Sequence, residues 1–141
     1  MKTLQQIKDL PIKDLGDKDS VLFIWGINKY LPELYEVAKT WGYKPSCLLT
    51  WCKPKHGIGI GGTFIQISEH LLFARRGTIT AKKRIDTTWF EHKRLRHSEK
   101  PDMFRQMIED CFDGNKIELF AREKVRDWDV WGNEVTSDID L

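Results

Sequence analysis

Short apolar segments alternate along this chain with amphipathic segments of helical period, and this alternation is the strongest constraint on its fold. Residues 20–26 form an apolar and aromatic run, and apolar side chains recur at helical spacing through residues 31–41. Further apolar runs lie at 47–52, 69–74 and 116–121, and a second amphipathic segment occupies 101–111. Strands that alternate with helices predict an α/β fold with a sheet of mostly parallel strands.

Local signals set the limits of several elements. Thr3 is placed to cap a short helix over residues 3–9, which Pro11 ends. The run at 20–26 has no polar alternation, which predicts a strand that is buried on both faces. A further short strand is predicted at 128–131.

Length and composition indicate one soluble domain. A chain of 141 residues can bury about two-thirds of the surface of its unfolded form, which predicts a single domain over residues 1–141. The longest apolar run, at 21–25, is too short for a membrane span, and no secretory signal pattern opens the chain. Because Cys47, Cys52 and Cys111 lack the paired spacing of a zinc site or disulfide framework, we expect a cytoplasmic protein with no membrane role.

Residues 75–96 form a strongly basic segment without a periodic apolar pattern, and we predict a long loop there. Its cations are Arg75, Arg76, Lys82, Lys83, Arg84, Lys93, Arg94 and Arg96, against the carboxylates of Asp86 and Glu91. Trp89 and Phe90 are interleaved with these cations. Cations neutralise phosphates and exposed aromatic rings stack on unpaired bases, so the segment suits nucleic acid. A solvated charged loop is the alternative.

A second unusual segment, residues 53–62, contains glycines at 57, 59, 61 and 62. Such a density of glycine predicts a mobile loop. The spacing does not match a phosphate-binding fingerprint, and the four histidines show no metal-ligand spacing.

Ser98 and Lys100 precede the helix that Pro101 opens. A helix N-terminus has unpaired amide groups and a partial positive charge, so a hydroxyl and an ammonium group beside it could hold a carboxylate or a phosphate. An ordinary helix cap beside a surface lysine is the alternative.

Glu118 lies within the apolar run at 116–121, where an ionised side chain must be paired or bound. Near the carboxyl end of a strand, a carboxylate can accept both hydroxyls of a ribose. Pairing with Arg122 or Lys116, or simple exposure on an edge strand, is the alternative. Asn133 and Glu134 fall in the polar loop after the last predicted strand, where an asparagine that follows glycine is usually a turn residue.

Eight short stretches, taken in order, resemble one known family. They are LPI at 10–12, LFIW at 22–25, WGY at 41–43, TWCK at 50–53, EHLLFARRG at 69–77, HSEKP at 97–101, KIELFAR at 116–122 and DVWGNE at 129–134. Their order and spacing are similar to those of the adenine methyltransferase family that includes the eukaryotic mRNA adenosine methyltransferase subunits and many bacterial and phage DNA-adenine enzymes. The resemblance covers nearly the whole chain.

This resemblance implies the class I, Rossmann-like sheet of S-adenosyl-L-methionine-dependent methyltransferases, in the permuted order that puts the catalytic motif before the cofactor motif. By the same resemblance, Glu118 lies on the cofactor strand, and Ser98 and Lys100 hold the amino-acid end of S-adenosyl-L-methionine. The residues implied around its ribose and adenine are Arg122, Asn133 and Glu134.

The resemblance also implies that two segments face the nucleic acid. One is the glycine-rich loop with Lys53 and Lys55, and the other is the basic segment at 75–96. The expected partner is DNA, with RNA as the alternative. A second copy of the chain or a catalytic partner chain is expected as well.

One family motif is absent from the sequence. The Asp-Pro-Pro-Trp motif, which accepts the adenine amino group, should lie upstream of residues 10–12, so we expect a fold truncated at its N-terminus that lacks the catalytic strand. Residues 116–121 and 20–26 would then face each other across a gap. Buried unpaired strand edges are costly, so we expect direct closure, filling by another segment of this chain, or pairing with a partner chain.

Two functions follow as hypotheses. The first is a methyltransferase that acts on the exocyclic amino group of adenine and is inactive alone, because no catalytic residue can be assigned within the chain. The second is a non-catalytic nucleic-acid-binding or scaffold subunit of a methyltransferase complex.

Overall fold

Within residues 2–54, 62–96 and 99–141, which the computed structural model describes, the strands form two sheets. The elements are, in chain order, α1 (Leu4–Lys8), α2 (Ile12–Leu15), β1 (Ser20–Gly26), a 3₁₀ turn (Asn28–Tyr30), α3 (Leu31–Thr40), β2 (Lys44–Cys52), β3 (Ser68–Arg76), β4 (Trp89–Glu91), α4 (Asp102–Cys111), β5 (Lys116–Leu119) and β6 (Trp128–Trp131). The larger sheet has the strand order β1, β3, β2, β4, and β5 pairs with β6 in the smaller sheet.

The larger sheet is mixed, and the prediction of mostly parallel strands is wrong for it. β3 lies between β1 and β2 and is antiparallel to both, whereas β2 and β4 are parallel. β1 and β2 therefore run in the same direction, as their connection through α3 requires. β3 returns antiparallel beside β2, and the described part of their connection, at 53–54 and 62–67, contains no helix. In the smaller sheet, β5 and β6 are parallel.

Two hydrophobic cores lie on opposite faces of the larger sheet. Leu71 and Leu72 are neighbours in β3 and are 2% and 0% exposed, so the middle of this strand is covered on both faces. The first core comprises Ile12, Leu34, Val37, Ala38, Trp41, Tyr43, Leu72 and Ala74, and the second comprises Trp51, Leu71, Phe90 and Phe104. Helix α3 thus covers one face and α4 the other, which is the layering expected of an α/β fold.

Strand β1 is only half buried along its whole length, so the prediction of burial on both faces is wrong. Its side chains alternate between the cores, with Leu22 and Ile24 against the first and Phe23 and Trp25 against the second. β1 pairs with β3 alone among the described residues, and an edge strand retains exposure that a central strand loses.

The predicted loop at 75–96 contains a short strand that the sequence did not indicate. β4 pairs with the end of β2, and Phe90 within it is 8% exposed and packs edge-on against Phe104. Phe90 is therefore a core residue and cannot stack on a base. Trp89 beside it remains 55% exposed. The short helix α2 was likewise not predicted.

The smaller sheet is attached to the larger one through side chains. Leu119 of β5 packs against the first core, and Phe112 after α4 packs against Phe23 and Phe73. β1 and β5 do not pair with each other, and no other described segment pairs with the second edge of either strand. The gap expected between them is therefore not closed directly by the described residues.

The described helices include none with the length and apolar character needed to cross a membrane.

Gly77 directly follows β3 and has a backbone conformation that only glycine adopts easily, with φ +70°. A Cβ there would collide with the Lys18 carbonyl oxygen and with Asp19 Oδ1, which accepts the Thr78 amide at 2.7 Å. We expect Gly77→Ala to lower the free energy of unfolding in urea by about 2 to 3 kcal/mol. Gly114→Ala is the matched control, because its φ is also positive but nothing lies within 4 Å of the added Cβ. An equal loss in both variants would contradict the steric explanation.

Candidate cofactor site and nucleic-acid interface

The carboxyl ends of β1 and β2 and the beginning of β3 meet at one edge of the larger sheet. Gly26 at the end of β1 lies opposite His70, and Cys52 at the end of β2 lies opposite Ser68. Ligands of open α/β sheets bind beyond the carboxyl ends of the strands. This edge also holds the buried polar side chains of Glu69 and His70.

Glu69 is the centre of a charged cluster at this edge. Its Oε2 pairs with the ammonium nitrogen of Lys53 at 2.5 Å, and its Oε1 pairs with that of Lys100 at 2.7 Å. The Lys53 ammonium lies 4.8 Å from the ring centre of Trp51, and the Lys100 ammonium lies 5.4 Å from that of Trp25. Two cations share one carboxylate, so the cluster has an excess positive charge that an anionic ligand could neutralise.

The surroundings of Glu69 favour its ionised form. Burial alone would raise the pKa of this carboxyl, but the hydrogen bonds and charges of Lys100 and Lys53 outweigh burial and lower the pKa below the ordinary value of 4.5. The charge on Glu69 is therefore retained at neutral pH, and both lysines stay fixed by it.

His70 forms a neutral hydrogen-bonded link beside this cluster. Its Nε2 donates to Asn28 Oδ1, and its Nδ1 accepts from the Thr50 hydroxyl at 3.0 Å. Burial lowers the pKa of His70, and the nearby Glu69 charge only partly opposes this effect. An imidazole bonded in this way holds the end of β1 to β2 and β3.

Lys100, predicted at the amino-acid end of the cofactor, lies just before α4 and is bound to Glu69. Glu118, predicted at the ribose, accepts a hydrogen bond from Nη2 of Arg105 in α4 at 3.0 Å. The partner of Glu118 is thus neither Arg122 nor Lys116, the two that the sequence offered. The N-terminal end of α4 is thus linked to both sheets, to β3 of the larger one through Lys100 and Glu69 and to β5 of the smaller one through Arg105 and Glu118.

The remaining predicted cofactor residues lie in the loops after β5 and β6. Arg122 and Glu134 form an ion pair at 3.5 Å, which joins these two loops, and Asn133 is exposed. Ser98 lies outside the described residues. Their roles at the cofactor stay predictions.

Most of the predicted nucleic-acid-binding residues have exposed side chains. The exposed ones are Arg75, Lys82, Lys83, Arg84, Lys93, Arg94 and Arg96. Lys82 pairs with Asp113 at 2.7 Å, and Arg75 donates to the Ile79 carbonyl. Lys55 lies outside the described residues. These exposed cations are able to contact a phosphate backbone, and the exposed Trp89 is able to contact an unstacked base.

Two predicted nucleic-acid-binding residues make internal contacts instead. Lys53 is held by Glu69. The Arg76 guanidinium lies 4.8 Å from the ring centre of Tyr43 and donates to the carbonyl oxygens of Lys13, Gly16 and Asp17. It thereby attaches the loop before β1 to the end of β3, and any contact of Arg76 with nucleic acid stays a prediction.

Sequence reasoning did not single out Glu69 or Arg105. The signal available in the sequence was a carboxylate, that of Glu69, at the start of the apolar run at 69–74. Arg105 carried no comparable signal, because an arginine on an amphipathic helix is usually a solvent-exposed residue.

Glu69→Gln should destabilise the protein at neutral pH by about 3 kcal/mol, because two half-buried lysines lose their counter-charge. The lowered pKa of Glu69 stabilises the wild type above pH 4.5, and this contribution is lost as the pH falls through the folded-state value. Urea unfolding from neutral to acid pH should therefore show a smaller loss of stability on acidification in the variant. Glu36→Gln, which removes an exposed ion pair with Lys8, is the control and should change stability by less than about 0.5 kcal/mol. An unaltered acid dependence in Glu69→Gln would contradict this assignment.

Comparison with known proteins agrees with the resemblance found in the sequence motifs. The family model described as MT-A70 matches residues 1–134. The chain is also 27% identical over 136 residues to the type II methyltransferase M.MunI of a Mycoplasma sp. That alignment covers 94% of this chain and 58% of the relative, so the chain spans less than two thirds of the relative's length. Since the family model covers almost all of the sequence, the chain belongs to the MT-A70 family.

Proposed function

We propose that this chain is an S-adenosyl-L-methionine-dependent methyltransferase domain whose target is the exocyclic amino group of adenine in DNA, with RNA as the alternative polymer. Membership of the MT-A70 family and similarity to a type II methyltransferase support the reaction class. The observation that carries the proposal concerns two of the predicted cofactor residues at the N-terminal end of α4. Lys100 lies just before this helix, and Glu118 accepts a hydrogen bond from Arg105 of its first turn.

The chemistry of these side chains fits the groups of the cofactor. Lys100 is 28% exposed at its side chain and belongs to a cluster with excess positive charge, so it can take a carboxylate. Glu118 is 35% exposed at its side chain, and its Oε2 makes no hydrogen bond to any described residue, so that oxygen can accept a ribose hydroxyl. Arg122, Asn133 and Glu134 lie in the loops that follow β5 and β6 and would line the nucleoside.

Methyl transfer makes modest demands on acid–base catalysis. When bound, S-adenosyl-L-methionine supplies a methyl group on a sulfonium, which is a good leaving group, so the protein must chiefly hold the amine in line with it. The 141-residue sequence contains no Asp-Pro-Pro-Trp motif to do this. We therefore propose that this chain alone binds the cofactor without methylating adenine.

The sheet suggests how a positioning strand could be supplied. β1 and β5 each have a hydrogen-bonded neighbour on one side only among the described residues. A strand from a longer product, a second copy or a catalytic partner chain could pair with these edges. The greater length of the M.MunI relative is compatible with the first of these sources.

The exposed cations and Trp89 of the basic segment at 75–96 suit the same reaction. An adenine amino group inside a duplex is inaccessible, so the target base must leave its stack before methyl transfer. The exposed cations of the basic segment would hold the backbone, and Trp89 offers an aromatic face to an unstacked base.

Titration calorimetry with S-adenosylhomocysteine tests the cofactor site. We expect Lys100→Met or Glu118→Gln to weaken binding about tenfold, because each removes a charge-assisted hydrogen bond. Lys116→Met at the other end of β5 is the control and should bind as the wild type does. If the wild-type chain does not bind S-adenosylhomocysteine, the cofactor proposal is wrong and the scaffold function is favoured. Transfer of labelled methyl groups to adenine in DNA by this chain alone would refute the proposed inactivity.

Replacing Lys82, Lys83 and Arg84 by alanine should weaken DNA binding and reduce its dependence on salt. Each lost phosphate contact lowers the slope of log K against log salt by about 0.9 for duplex DNA. The matched control replaces three exposed lysines elsewhere, Lys2, Lys18 and Lys39, by alanine, which changes the net charge equally. Fluorescence anisotropy at several salt concentrations measures both quantities, and equal effects in the two triple variants would refute the assignment of the basic segment.

A further inference from the structure

The Arg105 guanidinium is fixed by several neighbours, of which Glu118 is only one. Its Nη1 donates to Asp102 Oδ1 at 3.2 Å, and its Nη2 donates to Glu118 Oε1 at 3.0 Å. The guanidinium also lies 6.0 Å from the ring centre of Trp128. Trp128 is 8% exposed, and its Nε1 donates to Glu109 Oε1 at 2.8 Å.

The orientation of Arg105 is therefore supported by α4 and β6 as well as by Glu118. Asp102 belongs to the same first turn of α4, and the Trp128 indole, itself held by Glu109, supports the guanidinium from the smaller sheet. A planar guanidinium with fixed donor directions restricts the carboxylate that it binds more than a lysine ammonium would. Glu118 is the more exposed member of this contact, because its side chain is 35% exposed against 22% for Arg105.

Only one oxygen of Glu118 is used by this contact. Oε1 accepts Arg105, and Oε2 makes no hydrogen bond to any residue within the three described ranges. Holding one oxygen fixes the direction of the other, so the freedom that the side chain would lose on binding a ligand is already removed.

We propose that Arg105 is a positioning residue that holds Glu118 with Oε2 directed to accept hydroxyl groups of the cofactor ribose. This inference rests on the proposed function, because it assumes that Glu118 contacts the ribose. Arg105 itself acts through Glu118 and does not contact the ligand.

The test compares adenosine with 2′,3′-dideoxyadenosine, which lacks the 2′ and 3′ hydroxyls of the ribose, as competitors of S-adenosylhomocysteine. The wild type should prefer adenosine by about tenfold, the value expected for a hydrogen bond to a charged acceptor. Arg105→Gln and Glu118→Gln should each reduce this preference to less than about twofold, and the double variant should lose no more than either single variant. Asp102→Asn keeps an oxygen that can accept Arg105 Nη1 and leaves the contact between Arg105 and Glu118 in place, so it should keep the preference.

A merely structural ion pair would lower the affinity for both nucleosides equally, so the ratio separates the two roles. If Arg105→Gln melts below the assay temperature, the ratio of the two affinities is measured in Arg105→Lys instead. This variant retains the charge and loses the planar pair of donors. Full preference for adenosine in the Arg105 variant, together with its loss in Glu118→Gln, would overturn the role of Arg105 and leave the proposed function standing. Absence of the preference in the wild type would overturn the ribose contact of Glu118, and the role of Arg105 with it.

Discussion

The burial of the middle of β3 on both faces is the constraint on which the rest of the structure depends. Leu71 and Leu72 point in opposite directions and are both removed from water, so each face of the larger sheet needs its own apolar cover. The first core with α3 and the second with α4 provide that cover. Glu69 and His70 lie near the beginning of the same strand, so the packing that buries its middle also positions these polar side chains.

Electrostatic pairing then determines how the candidate site is prepared for a ligand. Lys100 and Glu118 have opposite charges, and each is held by a residue of opposite charge, Glu69 for the first and Arg105 for the second. Partly buried charges need such partners, because an unpaired one would oppose folding. The pairing also fixes the direction of both side chains before a ligand arrives, which reduces the conformational entropy lost on binding.

The two sheets meet in a way that links folding to the proposed function. Phe112 and Leu119 connect the smaller sheet to the larger one by side-chain packing, while β1 and β5 each keep an edge that no described residue pairs with. In an α/β sheet, a strand inserted at such edges would place its carboxyl end beside the candidate cofactor residues. The proposed requirement for a positioning strand and the open edges of the sheet therefore concern the same region of the protein.

The sequence by itself determined the α/β class, the approximate positions of the main strands and helices, and the family, because periodicity and ordered motifs are local properties of the chain. It did not determine that β3 enters antiparallel between β1 and β2, or that Phe90 belongs to a short core strand, since strand neighbours depend on contacts between distant segments. For the same reason only the tertiary structure decided the partners of the candidate site. Lys53, Glu69 and Lys100 come from three separate segments, and Glu118 pairs with Arg105 rather than with either of the two partners that the sequence offered as an alternative.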